Sequence, residues 1–201
     1  AQASLGFLLL AGHGLEQDFG QAMRWLSRAA AQGDVRAIAG LGDGYANGLG
    51  VEPDDQEAVA WYRRAAEQGD VVAQTNLGIM CAQGRGLPGP DASAAVEWFR
   101  KAAEGGGVSA QLNLGVMYDA GEGVEANAEA AAEWYLHAAQ QGDAQAQTRL
   151  SVLYLQGRGV AEDVEEAERW LRLAAEQGEP EAQEILEELE AEEEEERARL
   201  E

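Results

Sequence analysis

The chain has 201 residues, a formal net charge of −23, 46% hydrophobic residues, four prolines and a single cysteine, Cys81. So acidic a surface repels nucleic-acid phosphates and anionic lipid, which argues against either as a partner. One thiol cannot form an intrachain disulfide, and no apolar run reaches the ~20 residues that span a bilayer.

The opening stretch AQASLGFLLLAG is apolar. It lacks a basic leading segment and already follows the pattern of later units, so it reads as a helix and not as a signal peptide. With no initiator Met the chain is expected to be a trimmed fragment, and Phe7, Leu8 and Leu10 then read as surface that an earlier repeat would cover.

Five near-copies of one phrase follow: MRWLSRAAAQGD, AVAWYRRAAEQGD, VEWFRKAAEGGG, AEWYLHAAQQGD and AERWLRLAAEQGE. Their tryptophans, Trp25, Trp61, Trp98, Trp134 and Trp170, stand 36, 37, 36 and 36 residues apart. A fixed period of that length is the signature of a solenoid. Counting each unit from an alanine (Ala1, Ala37, Ala73, Ala110, Ala146), a leucine comes four residues on, Leu9, Tyr45, Cys81, Tyr118 or Tyr154 eight on, and a glycine eleven on. These offsets share one face of a first helix, A, with the glycine as its stop. A G-x-G turn leads to a capping residue (Asp18, Asp54, Asp91, Asn127, Asp163) and a second helix, B, carrying the Trp and an Ala-Ala pair and ending at Gln-Gly-Asp or a variant. The third turn, LPGPDAS, is one residue longer, which costs little in a loop.

The pattern A-x-x-x-L-G-x-x-Y-x-x-G-x-G-V-x-x-D-x-x-x-A-x-x-W-Y-x-x-A-A-x-x-G-D resembles the Sel1-like repeat, from Ala1 to about Pro180. Cys81 for Tyr, Ser151 for Gly and the PGP loop depart from it. The resemblance implies an all-α, right-handed superhelix of antiparallel helix pairs, related to tetratricopeptide repeats and used in many bacterial proteins as a scaffold for protein contacts. The expected divisions are 1–36, 37–72, 73–109, 110–145 and 146–181, then an acidic capping helix over 182–201, where Glu187 and Glu190 replace the Gly and Tyr. From Glu176 onward thirteen glutamates face only Arg197 and Arg199, and the run Glu192–Glu196 reads as a solvated end.

The tryptophans, three residues from one alanine and four from another, are expected to pack inward. Arg28, Arg64, Lys101 and His137 then form a broken basic line on the opposite side, a solvated face in which Glu97–Lys101, Glu133–His137 and Glu168–Arg172 pair at i, i+4. GRGLPG (Gly84–Gly89) fits G-x-G-x-x-G, but a dinucleotide site needs a strand before it and here a helix is expected. His13 and His137 lie about three repeats apart and Cys81 replaces a packing Tyr, so neither a metal set nor a nucleophile–base arrangement can be drawn. No cofactor, metal or catalytic residue is expected.

The side of helix A away from the core falls at offsets 2, 6 and 9. The resemblance makes this side the concave groove. Where a surface helix normally turns charge to water, it holds Ile79, Leu112, Val116, Val152 and Leu155, with Thr75, Asp119 and Thr148 as polar points. Those eight residues are the expected partner-binding set, suited to a basic or amphipathic peptide or protein. The same side chains would instead pack on one another if curvature closed the groove. The expected function is a non-enzymatic adaptor; the rivals are a structural protein self-associating through its ends, the exposed N-terminal one above all, and a hydrolase of the same family.

Overall fold

The structure is a computed structural model that describes residues 1–12 and 14–200, with the side chains of 192–198 and 200 left out. The described residues form eleven α-helices and no strand. They gather into two units, each described by itself. The first holds α1 (Gln2–Ala11), α2 (Phe19–Ala30), α3 (Val35–Asn47), α4 (Asp55–Ala66), α5 (Val71–Gln83) and α6 (Ala92–Glu104). The second holds α7 (Val108–Ala120), α8 (Ala128–Gln140), α9 (Ala144–Gln156), α10 (Val164–Glu176) and α11 (Pro180–Leu200). Within each unit, consecutive helices pack as A–B hairpins, the odd-numbered helices being A and the even-numbered B.

Each B helix starts where a short polar side chain meets its orphan N–H groups. Asp18, Asp54, Asp91, Asn127 and Asp163 all accept from backbone N–H groups of the first turn. Their own N–H groups bond back to the A helix: Asp54 N–H to the Tyr45 carbonyl at 2.9 Å, Asp91 N–H to that of Cys81 at 2.8 Å. The longer third loop therefore closes in the same way as the others. The Gly-Asp read from sequence as the end of B also begins the next A helix. Asp34, Asp70 and Asp143 cap α3, α5 and α9, which start two residues before the alanines used for counting.

The two glycines of each G-x-G turn do different things. The first, such as Gly48 at φ 68°, is the left-handed C-cap of helix A. The second, where a described repeat precedes it within its unit, abuts that repeat: a Cβ on Gly86 would overlap the Asp55 carbonyl at the start of α4, and one on Gly159 that of Ala128 at the start of α8, while Gly14 in the first turn meets nothing. G-x-G is thus a helix stop followed by a repeat-to-repeat contact.

The tryptophans are placed differently from the inward packing expected of them. Trp25, Trp61, Trp98 and Trp134 are half-buried, Trp170 alone reaches 6% exposure, and the large side chain that each B helix buries is the residue after the Trp: Leu26, Tyr62, Phe99, Tyr135 and Leu171. One residue is a step of ~100° round the helix, enough to move the core position from the indole to its neighbour. The indoles lie instead under cations: Arg28 is 4.8 Å from the Trp25 ring, Arg64 5.5 Å from Trp61 and Lys101 4.1 Å from Trp98. His137 sits 5.6 Å from Trp134. Of the three expected i, i+4 pairs, Glu168–Arg172 forms an ion pair.

The buried residue after the Trp explains the glycine of helix A. A Cβ on Gly42 would stand 2.5 Å from the Tyr62 ring, and one on Gly115 2.6 Å from Tyr135. A Cβ on Gly6 would likewise stand 2.8 Å from the Leu26 side chain, and Ser151 takes this position in the last hairpin. Below the last hairpin, Ala182, Ile185, Leu186 and Leu189 of α11 pack on Leu171 and Ala174 of α10.

Candidate functional site

The helix A side at offsets 2, 6 and 9 divides between the units. Thr75 and Ile79 stand on α5 in the first; Leu112, Val116 and Asp119 on α7 and Thr148, Val152 and Leu155 on α9 belong to the second. Thr75 and Thr148 are 8% and 1% exposed, and their hydroxyls donate to the carbonyls of Val71 and Ala144 one turn back. A hydroxyl so engaged serves its own helix. Ile79, Leu112, Val116, Val152 and Leu155 are half-buried. Leu112 and Val116 lean on the second unit's core, the cluster around Tyr135, Leu150 and Leu153. The Asp119 carboxylate forms an ion pair with Arg158 of the following G-R-G turn.

The first unit holds a feature that the sequence pattern did not single out. Asp43 on α3 occupies the offset that carries Ile79 on α5 and Phe7 on α1. Its Oδ1 accepts from the Tyr62 hydroxyl at 2.7 Å and from Asn76 Nδ2 at 3.3 Å. Burial raises the Asp43 carboxyl above its ordinary range, against the lowering effect of the Tyr62 bond. Burial and the neighbouring carboxylate push Tyr62 up in turn. The signal was present as a buried Tyr whose hydroxyl needs an acceptor, but finding it required knowing that Tyr62, not Trp61, takes the core position. In the second unit the equivalent register holds Val116, and Tyr135 is pushed up to about 12, by burial first and then by the charge of Asp119.

Among the described residues no group of three or more His, Cys, Asp or Glu side chains is arranged to hold a metal ion. His13, one of the two histidines weighed as ligands, lies outside the described residues, as do the side chains of the Glu192–Glu196 run. Cys81 is buried, which raises its thiol pKa. In GRGLPG, Gly84 ends helix α5 and Gly86 touches α4, so a helix stands where a dinucleotide site has a strand. No described helix is long and apolar enough to cross a membrane.

Comparison with known proteins agrees with this geometry. The Sel1 repeat model matches residues 1–34, 35–70, 71–107, 108–143 and 144–179, each match beginning at or just before the first turn of an A helix. A protective antigen of uropathogenic Escherichia coli displaying an SLR fold is 39% identical over 90% of this chain, with a TM-score of 0.86; the match covers 39% of that antigen. A Sel1 repeat protein from Oxalobacter formigenes is 34% identical over 92% of this chain and 73% of its own, with a TM-score of 0.83. An immunity protein from Pseudomonas aeruginosa, 23% identical over 90% of this chain and 68% of its own, shares the fold at a TM-score of 0.56. No curated protein matches. The chain spans about two-fifths of the E. coli antigen's length. With five matched repeats, hairpins of the expected construction and two solved Sel1 relatives above 30% identity, the chain belongs to the Sel1 repeat family.

Proposed function

We propose that the chain is a non-enzymatic interaction scaffold that holds a peptide or partner protein against the open side of its A helices, the role Sel1 repeats commonly serve. The observation that carries this reading is that Ile79, Val152 and Leu155 stay half-buried on that side. Apolar surface left in water favours an interaction, and within the second unit an extended or helical segment fits Val152 and Leu155. A net charge of −23 makes a basic or amphipathic partner the favoured one.

Val152 and Leu155 are the positions to test, because Leu112 and Val116 also support the core. Short random peptides displayed on phage are selected on the wild-type chain, and the winners are titrated against Val152→Asp/Leu155→Asp. The expected result is a loss of at least about tenfold in affinity with helicity unchanged. Equal affinity for wild type and variant would refute the assignment.

A further inference from the structure

Asp43 is not required by the fold. The same offset is Phe7 and Ile79 in the sister repeats of its unit and Val116 and Val152 in the other, and all of these support the same hairpin. A partly buried carboxylate among apolar equivalents is a cost unless something compensates its charge. Two neutral donors do so only in part, and among the described residues Asp43 forms no ion pair. Its donors, the Tyr62 hydroxyl and the Asn76 amide, are neutral, and both converge on Oδ1, leaving Oδ2 without a donor. The one cation that lines the same pocket, Arg85, is committed to Asp55, which it grips through Nη2 at 2.5 Å and Nε at 3.2 Å.

These groups line an open pocket of about 180 Å³ bounded by Asp43, Asn47, Tyr62, Asn76, Ile79 and Arg85. Apart from Arg85, which Asp55 engages, its polar lining offers acceptors. Asn76 spends its Nδ2 on Asp43, and Asn47 spends its Nδ2 on the Asp43 main-chain carbonyl at 2.9 Å, so each amide keeps an unengaged oxygen. Ile79 supplies an apolar wall. One carboxylate oxygen, two amide oxygens and an apolar wall match a side chain with an aliphatic stem and a cationic head.

We infer that the pocket around Asp43 receives an arginine or lysine side chain of the bound partner segment, fixing its register on the first unit. The inference rests on the scaffold reading above, and Asp43, Tyr62 and Asn76 would be its selectivity-determining residues.

Displayed random peptides are selected in parallel on the wild type, on Asp43→Asn and on Glu57→Gln, the last removing an exposed carboxylate of α4 that does not line the pocket. Asparagine keeps an oxygen for Tyr62, and circular dichroism checks the fold of each variant. The inference expects wild-type winners to share one Arg or Lys at a fixed position, to bind Asp43→Asn at least about tenfold more weakly and to bind Glu57→Gln nearly as well as wild type. Replacing that residue with citrulline or norleucine in synthetic winners should reproduce the loss. Peptides that bind and are sensitive to Val152→Asp/Leu155→Asp, yet carry no fixed cation or respond equally to Asp43→Asn and Glu57→Gln, would overturn the cation pocket and leave the scaffold reading standing. If no winner is sensitive to either site, both fall.

Discussion

The glycine of helix A is set by the buried residue that follows the Trp. Gly42, Gly78 and Gly115 each face an aromatic ring that a Cβ would strike at 2.5 to 2.7 Å, and Gly6 faces Leu26 at 2.8 Å. Gly115→Ala is therefore expected to destabilise by about 1–3 kcal/mol through overpacking, and Tyr135→Leu in the same chain should recover part of that loss by removing the ring that the new Cβ strikes. Urea unfolding of the two single variants and the double checks the coupling; strict additivity would mean the ring and the glycine do not constrain each other. Asp43 gives a second prediction. Its raised pKa means the folded chain binds a proton more readily than the unfolded chain, so the ionised carboxylate weakens the native state above the ordinary carboxylate range and that penalty fades as pH falls. Asp43→Asn should then be at least as stable as wild type at pH 7, with the difference shrinking toward pH 4. A variant clearly less stable at pH 7 would show that the carboxylate serves the fold.

Element boundaries were largely legible in the sequence because they rest on short-range chemistry. Asp54 and Asn127 cap the helices that their spacing announced, and the glycine eleven residues into each unit ends helix A. Less legible was anything that depends on rotation about a helix axis. The Trp and the residue after it differ by one step, both fit an apolar stripe, and only packing against the glycine of helix A decides that Tyr62, Phe99 and Tyr135 go in while the indoles stay half outside beneath Arg64, Lys101 and His137. The second glycine of the turn was equally hidden, because at Gly50, Gly86 and Gly159 its contact is with another repeat. Two glycines with positive φ separate these effects. At Gly69, φ 86°, a Cβ meets nothing within 4 Å, so Gly69→Ala should cost only the backbone term, about 1–2 kcal/mol. At Gly86, φ 70°, a Cβ also strikes the Asp55 carbonyl, and Gly86→Ala should cost more. Equal melting temperatures for the two variants would contradict a repeat-to-repeat role for the turn.

At the scale of the molecule, repetition made the fold class readable while leaving the candidate site half hidden. Five units agree at the core offsets, so departures there are few; at offset 6 they disagree, and Asp43 looked like noise among Phe7, Ile79, Val116 and Val152. Its partners come from two other helices, Tyr62 on α4 and Asn76 on α5, a juxtaposition that no single repeat displays. The open sides of the two units consequently differ: the first places a carboxylate without a cation beside Ile79, and the second neutralises Asp119 with Arg158 beside Val152 and Leu155. The central claim is that partners sit on the A helices. It is tested most directly by hydrogen–deuterium exchange of the chain with and without a peptide selected on it. Protection confined to α3, α5, α7 and α9, with the Trp-bearing helices α4, α6 and α8 unchanged, is the predicted result; protection centred on the Trp-bearing helices would contradict it.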